Sequence, residues 1–127
     1  NTTNRVYFAG ILEEVDIAQL LTAADVFAWP AINEAFGMAI LEAHRHGLPV
    51  VAGYTDGVAA TVADTQTGFL TPAGDVVSFA KAISSLIQDA SIRAQMAKNA
   101  RDKFLKQHTI ELAAKTIQLF LSQIKAQ

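Results

Sequence analysis

The segment 26–52 most constrains the fold of this chain. The apolar runs 26–29 and 49–52 each have the length and composition of a buried strand. Between them lie a loop over residues 30–36 and a run of helix-forming residues that starts near Gly37 and stops before Gly47. The order strand, loop, helix, strand predicts part of an open α/β sheet.

The predicted start of this helix suits a negatively charged group. The first amide groups of a helix have no helical acceptor and the helix dipole is positive there, so a phosphate is favoured. In an open α/β sheet, such a loop lies outside the C-terminal ends of the strands, where ligands bind.

Two glutamates flank this helix start. Glu34 lies in the loop and Glu42 eight residues later in the helix, a separation of about 12 Å if the segment were wholly helical. A nucleotide sugar fits that separation, with hydroxyls of the sugar and of a ribose bound by the two carboxylates and the diphosphate bound by amides. Alternatively, Glu34 is a loop acid favoured by the dipole and Glu42 a solvated helix residue.

The residues around the two glutamates form a longer pattern. Phe36 and Gly37 follow the first acid, Ala43 follows the second, and the run 47–51 reads Gly-Leu-Pro-Val-Val. This sequence pattern resembles the signature of the retaining family 4, or group 1, glycosyltransferases. The segments 6–10, 24–27 and 64–70 also match that family in order and spacing. The resemblance implies the GT-B fold, in which two Rossmann-like domains face a cleft. Residues 1–127 would form a single, incomplete C-terminal domain: a Rossmann-like parallel sheet flanked by helices, with a helical C-terminal segment.

The resemblance also implies a function. The chain would be the donor-binding part of an enzyme that transfers a sugar from a nucleotide sugar to a glycan, lipid or small-molecule acceptor, without a metal ion or other cofactor. Glu34 would be the catalytic residue beside the donor sugar, and Glu42 would bind the ribose of the nucleotide. Four backbone amides would bind the sugar and the diphosphate. They belong to Phe36, Gly37, Met38 and Ala39.

Two alternatives of other classes stay open. One is a nucleotide-binding or assembly module without transferase activity, and the other is a GT-B nucleotide-sugar epimerase. The chain departs from the family pattern at Ala31, where serine is common, at Ala60, where glutamate is common, and at residues 44–46, where small residues are usual. These changes leave both glutamates in place and are compatible with a non-catalytic member.

Charge and composition exclude several other classes. A net charge of -2 gives no electrostatic basis for binding nucleic acid. The absence of cysteine excludes disulfides and thiolate metal sites. His44 and His46 lie roughly 200° apart around a helix and cannot share a metal ion, so we expect them at the surface or in packing contacts. There is no apolar run near 18 residues and no signal-peptide pattern. The resemblance implies a cytoplasmic enzyme, with peripheral association at the inner membrane face.

The remaining elements are predicted from local signals. Residues 6–9 and 69–71 are expected as strands, with 69–71 the fourth. Residues 58–63 are expected to form one helical turn. We expect Asp16, Asp75, either Asp89 or Ser91, and Thr109 to open helices. The helix after Asp75 should pack an apolar face on the sheet, and the last helix should carry a broad apolar stripe. His108, between two helices, is expected as a cap or in solvent.

The resemblance further implies two βα units ahead of Val6, whose strands would separate the strand 6–9 from the strand 26–29. Without them, residues 6–9 would pair directly with 26–29, exchange with another molecule or stay unpaired. We therefore expect the isolated chain to be inactive and to self-associate through its sheet edge.

Overall fold

The structure is a computed structural model, and it describes residues 5–125. Three strands in this range form a parallel sheet in the order β1-β2-β3, with Phe27 opposite Val50 and Val50 opposite Gly68. The elements are α1 Glu14–Ala23, β1 Phe27–Trp29, α2 Met38–Arg45, β2 Val50–Gly53, α3 Asp56–Thr61, β3 Gly68–Thr71, α4 Val76–Gln88, α5 Ala90–Gln107 and α6 Ile110–Lys125.

The core lies on both faces of the central strand β2, whose side chains alternate between the faces. Val50 and Ala52 pack in one apolar cluster with residues of α1, α2 and α3, among them Leu21, Ile40 and Val58. Val51 packs in a second cluster with residues of α4 and α5, among them Leu86 and Met96. This arrangement confirms the predicted α/β fold with a parallel sheet flanked by helices.

The predicted caps of the last three helices are confirmed. The Asp75 carboxylate accepts hydrogen bonds from the amides of Val77 and Ser78 at the start of α4. Asp89, rather than Ser91, caps α5. Thr109 Oγ1 accepts a hydrogen bond from the amide of Leu112 at the start of α6. Each cap satisfies amide groups that a helix leaves unpaired at its first turn.

The strand predicted for residues 6–9 is wrong. Residues 6–10 have no regular secondary structure, and the Tyr7 and Phe8 side chains are 87% and 89% exposed. A strand needs a neighbouring backbone to satisfy its amides and carbonyls. β1 pairs only with β2 among the described strands, and residues 6–10 do not extend it. The strand at Phe69, expected as the fourth, is therefore the third of the sheet.

Two helix starts also differ from the prediction. α1 starts before Asp16, at Glu14, after an N-cap residue, Glu13, whose side chain makes no capping hydrogen bond. α3 starts at Asp56 because Thr55 Oγ1 accepts a hydrogen bond from the amide of Val58.

The apolar faces of the later helices are only partly buried. Phe79, Ile83 and Leu86 of α4 pack in the core, whereas Val76 and Ile87, predicted on the same face, are exposed. The predicted stripe of α6 is present but exposed; it includes Ile117, Phe120, Leu121 and Ile124. Within residues 5–125, no helix is long and apolar enough to cross a membrane.

Candidate functional site

The loop between β1 and α2 is shaped by Gly37. Its backbone has φ +76° and ψ +51°, in the left-handed region that glycine adopts without steric cost. The chain turns there and α2 begins at Met38. The loop thus lies at the C-terminal end of β1. The positive, N-terminal end of the α2 dipole points toward this loop, as predicted.

The Glu34 carboxylate is bound by the amides of its own loop. Glu34 Oε1 accepts hydrogen bonds from the amide of Gly37 at 3.0 Å and from that of Phe36 at 3.4 Å. These bonds, that from Gly37 most, lower the pKa of Glu34 below its usual range. Glu34 is therefore an anion at neutral pH, held in one orientation.

The four amides expected to bind the donor fall into two pairs. Those of Phe36 and Gly37 donate to Glu34, while those of Met38 and Ala39, at the first two positions of α2, have no hydrogen-bond partner within residues 5–125. Unpaired amides at a helix N-terminus suit an anion.

Glu42 lies one turn further along α2, on the face that Met38 begins, because residues i and i+4 are neighbours on a helix. Its Oε1 is 3.9 Å from Arg45 Nη1 and 3.6 Å from His46 Nε2, and its side chain is 42% exposed. His46 Nδ1 is in turn 3.2 Å from Thr22 Oγ1 of α1. Glu42 is thus flanked by basic groups and still open to a ligand.

A cavity of about 390 Å³ lies beside Glu34 and is lined by residues 29–34. A second cavity, of about 400 Å³, shares Pro30 and Ile32 with the first but extends to Phe79 of α4 and has neither glutamate in its wall. Glu34 lines the first cavity, whereas residues 36–39 and Glu42 line neither cavity. We therefore take the loop and the start of α2, with the first cavity beside Glu34, as the candidate site.

Helix α3 holds the backbone of the loop. Thr55 Oγ1 donates to the carbonyl of Glu34 at 2.8 Å, and Thr61 Oγ1 donates to that of Phe36 at 2.9 Å. Between them, Gly57 lies so close to Ala35 that a Cβ atom would be 1.8 Å from its carbonyl oxygen. Sequence reasoning missed all three residues. Thr55 has a detectable signal, a threonine before the first turn of a helix, but nothing local reveals the contacts of Gly57 and Thr61.

The two histidines of the motif, His44 and His46, lie in different environments: His46 lies beside Glu42, and His44 lies in the interior. His44 is completely buried, and neither ring nitrogen has a hydrogen-bond partner within the described chain. Burial, followed by the charges of Lys103 and His108, lowers the pKa of His44 to about 4. His44 is thus a packing residue, as expected.

His108 ends α5 as its C-cap residue. In residues 5–125, no three His, Asp or Glu side chains lie together as a metal site requires.

Comparison with known proteins identifies the family. The sequence model of the family described as glycosyl transferases group 1 matches residues 1–103. The D-inositol 3-phosphate glycosyltransferase of Salinispora tropica is 38% identical over 99 residues, which are 78% of this chain and 20% of that protein. The chain therefore belongs to the group 1 glycosyltransferases.

Solved structures of the same fold agree. Sucrose-phosphate synthase from Thermosynechococcus elongatus superposes with a TM-score of 0.89 at 30% identity, over 98% of this chain and 32% of that one. The Anabaena protein HepE, in a complex with UDP-glucose, superposes with a TM-score of 0.85 at 34% identity, over 95% of this chain and 33% of that one. The chain thus spans about one fifth of the first curated relative and about a third of these structures.

Proposed function

We propose that this chain is the donor-binding part of a retaining glycosyltransferase and that the nucleotide sugar binds at the N-terminal end of α2. The observation that carries the proposal is the helix start itself. The Met38 and Ala39 amides, which have no hydrogen-bond partner within residues 5–125, come directly after the loop that holds Glu34 and about one turn before Glu42 in the chain. The complex of the similar protein HepE with UDP-glucose supports a nucleotide sugar as the ligand.

Each group has a role in this proposal. The Met38 and Ala39 amides bind the diphosphate and stabilise the charge that develops on it as the bond to the sugar breaks. Glu34 accepts hydrogen bonds from hydroxyls of the donor sugar, and Glu42 from the ribose hydroxyls. The Phe36 and Gly37 amides donate to Glu34, so in this proposal they act on the sugar by orienting that carboxylate. The oriented amides supply electrostatic stabilisation by themselves, so we propose that transfer needs no metal ion.

The proposal also concerns where the acceptor binds. We propose that a sugar or lipid acceptor binds to a second domain of the complete protein, because the relatives are several times longer than this chain. The 127 residues alone are then expected to show neither transfer nor donor hydrolysis. A cytoplasmic location and association with the inner membrane face stay predictions from the resemblance.

The test is to assay the full-length gene product with a panel of nucleotide sugars, starting with UDP-glucose, and to measure binding by calorimetry and turnover by product formation, with and without a metal chelator. Turnover with retained anomeric configuration is the expected result. Nucleotide binding without turnover would favour the non-catalytic module, and isomerisation of the sugar would favour an epimerase. No binding of any nucleotide sugar would contradict the proposal.

A further inference from the structure

A chain of hydrogen bonds connects α5, through α3, to the loop before α2. Lys103 Nζ donates to the carbonyl of Thr61 at 2.6 Å, and Thr61 Oγ1 donates to the carbonyl of Phe36 at 2.9 Å. Thr61 is the last residue of α3 and is completely buried. Lys103 is half-buried. Thr61 therefore contacts the loop backbone directly, and Lys103 is connected to the loop through Thr61.

The carbonyl that Thr61 binds belongs to the same rigid group as an amide of the site. The C=O of Phe36 and the N–H of Gly37 are parts of one planar peptide unit. Thr61 holds the oxygen of this unit, and its N–H donates to Glu34 Oε1 at 3.0 Å. Because the unit is rigid, turning its oxygen away from Thr61 turns its N–H away from the carboxylate. The orientation of Glu34 thus depends on Thr61.

The position of Lys103 suits a residue that supports the end of α3. It does not suit a residue that binds anions from solvent. Burial lowers its pKa, since an ammonium group loses hydration there. Its ammonium group donates to the carbonyl at the end of α3, where the helix dipole is negative and favours a cation. α3 has six residues and is too short to be stable without such contacts.

Building on the proposed function, we propose that Lys103 and Thr61 are positioning residues of the donor site. Lys103 fixes the end of α3, Thr61 fixes the peptide unit between Phe36 and Gly37, and that unit fixes the Glu34 carboxylate toward the donor sugar. Neither residue touches the reacting atoms. A misplacement of about 1 Å in such a group costs up to about a hundredfold in rate.

The first test is kinetic and uses the full-length protein. Thr61→Val removes the hydroxyl while keeping the shape, and Lys103→Met removes the charge while keeping the length. We expect kcat to fall on the order of tenfold to a hundredfold with a smaller change in the KM of the nucleotide sugar, and Thr61→Ser and Lys103→Arg to restore part of it. Matched controls are Thr116→Val and Lys98→Met, because these side chains make exposed contacts with Leu112 and Asp102 away from the loop. Both should leave kcat unchanged.

The second test needs no activity. The Glu34 titration is followed by NMR of selectively labelled glutamate carboxyl carbons, and in Thr61→Val its midpoint should rise toward the ordinary value because the Gly37 amide no longer points at the carboxylate. A purely structural role for Thr61 would lower the melting temperature and leave the Glu34 midpoint of the folded protein unchanged. That result, with wild-type kcat, overturns the proposal.

The proposed function and the positioning role of Thr61 and Lys103 can be contradicted independently of each other. If the wild-type protein transfers no sugar, the proposed function is wrong, while the Glu34 titration still decides whether Thr61 and Lys103 position the carboxylate. If Thr61→Val does not fold, Lys103→Met decides with the same two measurements, and an unchanged midpoint and kcat in that variant count against the positioning role.

Discussion

At the scale of single residues, the two glutamates differ in what holds them. Glu34 is fixed by two backbone amides of its own loop, whereas the Glu42 carboxylate has no backbone donor within residues 5–125 and lies beside the side chains of Arg45 and His46. A carboxylate oriented by rigid amides suits a role in the chemical step, since preorganised dipoles need no rearrangement. A carboxylate that is 42% exposed beside basic side chains suits ligand binding.

Substitution of the two glutamates should separate these roles. In the full-length protein, Glu42→Ala should weaken binding of the free nucleotide by roughly 1 to 3 kcal/mol, the scale for losing charge-assisted hydrogen bonds. Glu34→Ala should lower turnover more than nucleotide affinity. Isothermal calorimetry and kcat measurements test both, with Glu111→Ala in the first turn of α6 as the control. Unchanged nucleotide affinity in Glu42→Ala would rule out the ribose contact.

The buried ring of His44 should make stability depend on pH. Its pKa is about 4 in the folded protein, against 6.5 in the unfolded chain, so the unfolded state binds a proton that the folded state does not. The free energy of unfolding should therefore be unaffected by His44 above pH 6.5 and fall as pH drops toward 4, by on the order of 3 kcal/mol in total.

Urea titrations between pH 7 and pH 5 measure this slope. Carboxyl groups such as Glu34, whose ordinary pKa is 4.5, contribute little over most of this range and contribute equally to the wild type and to a His44 variant. His44→Met keeps the volume and cannot titrate, so its slope should be flatter, with a remaining contribution from His108, whose pKa burial also lowers. A slope equal to that of the wild type would show that His44 is accessible to protons in the folded protein.

At the scale of elements, α3 supports the loop as well as the core. It is a helix of six residues. Its N-cap residue, Thr55, and its last residue, Thr61, bind loop carbonyls, and Gly57 lies against Ala35. Since short helices gain little from their own hydrogen bonds, these contacts stabilise α3 and the loop together. The loop and α3 should therefore open as one unit.

The substitution Gly57→Ala should disrupt the packing of α3 against the loop before α2. Replacing glycine by alanine inside a helix normally stabilises it by about 1 kcal/mol, but here the Cβ atom would meet the Ala35 carbonyl at 1.8 Å. We expect a loss of about 2 kcal/mol or more in the free energy of unfolding, on the scale of overpacking, together with faster hydrogen exchange at Phe36 and Gly37. Asp56→Ala, at the neighbouring exposed position, is the control and should change little. A Gly57→Ala protein as stable as this control would contradict the close packing of α3 on the loop.

At the scale of the whole molecule, much apolar surface is open. Tyr7 and Phe8 before α1 and Ile117 and Phe120 of α6 are all more than half exposed, and β1 has one unpaired edge among the described strands. Large exposed apolar patches and free strand edges mark sites of association.

The 127-residue chain alone should therefore self-associate, which light scattering over a range of concentrations measures. The double variant Ile117→Glu, Phe120→Lys should shift the distribution toward the monomer without unfolding the sheet, because these side chains are exposed. Gln118→Lys, also on the exposed part of α6, is the control and should leave the distribution unchanged. A wild-type chain that stays monomeric at all concentrations would show that this surface does not associate.

Local sequence signals sufficed for most of the elements. Asp75, Asp89 and Thr109 open helices because a side-chain oxygen can reach amides two or three residues away. The apolar runs at Val50 and Phe69 form strands, and Gly37 turns the chain into α2, for reasons contained in a few consecutive residues. The family pattern around Glu34 and Glu42 was likewise readable without coordinates.

Tertiary structure decided what depends on distant partners. Residues 6–10 have the composition of a strand but pair with no strand within residues 5–125, and His44 is polar but is buried where α2 packs against α5. The bonds from Lys103 to Thr61 and from Thr61 to Phe36 join residues 42 and 25 positions apart. No local pattern specifies such contacts, because each arises only when the packed helices and strands bring the partners together.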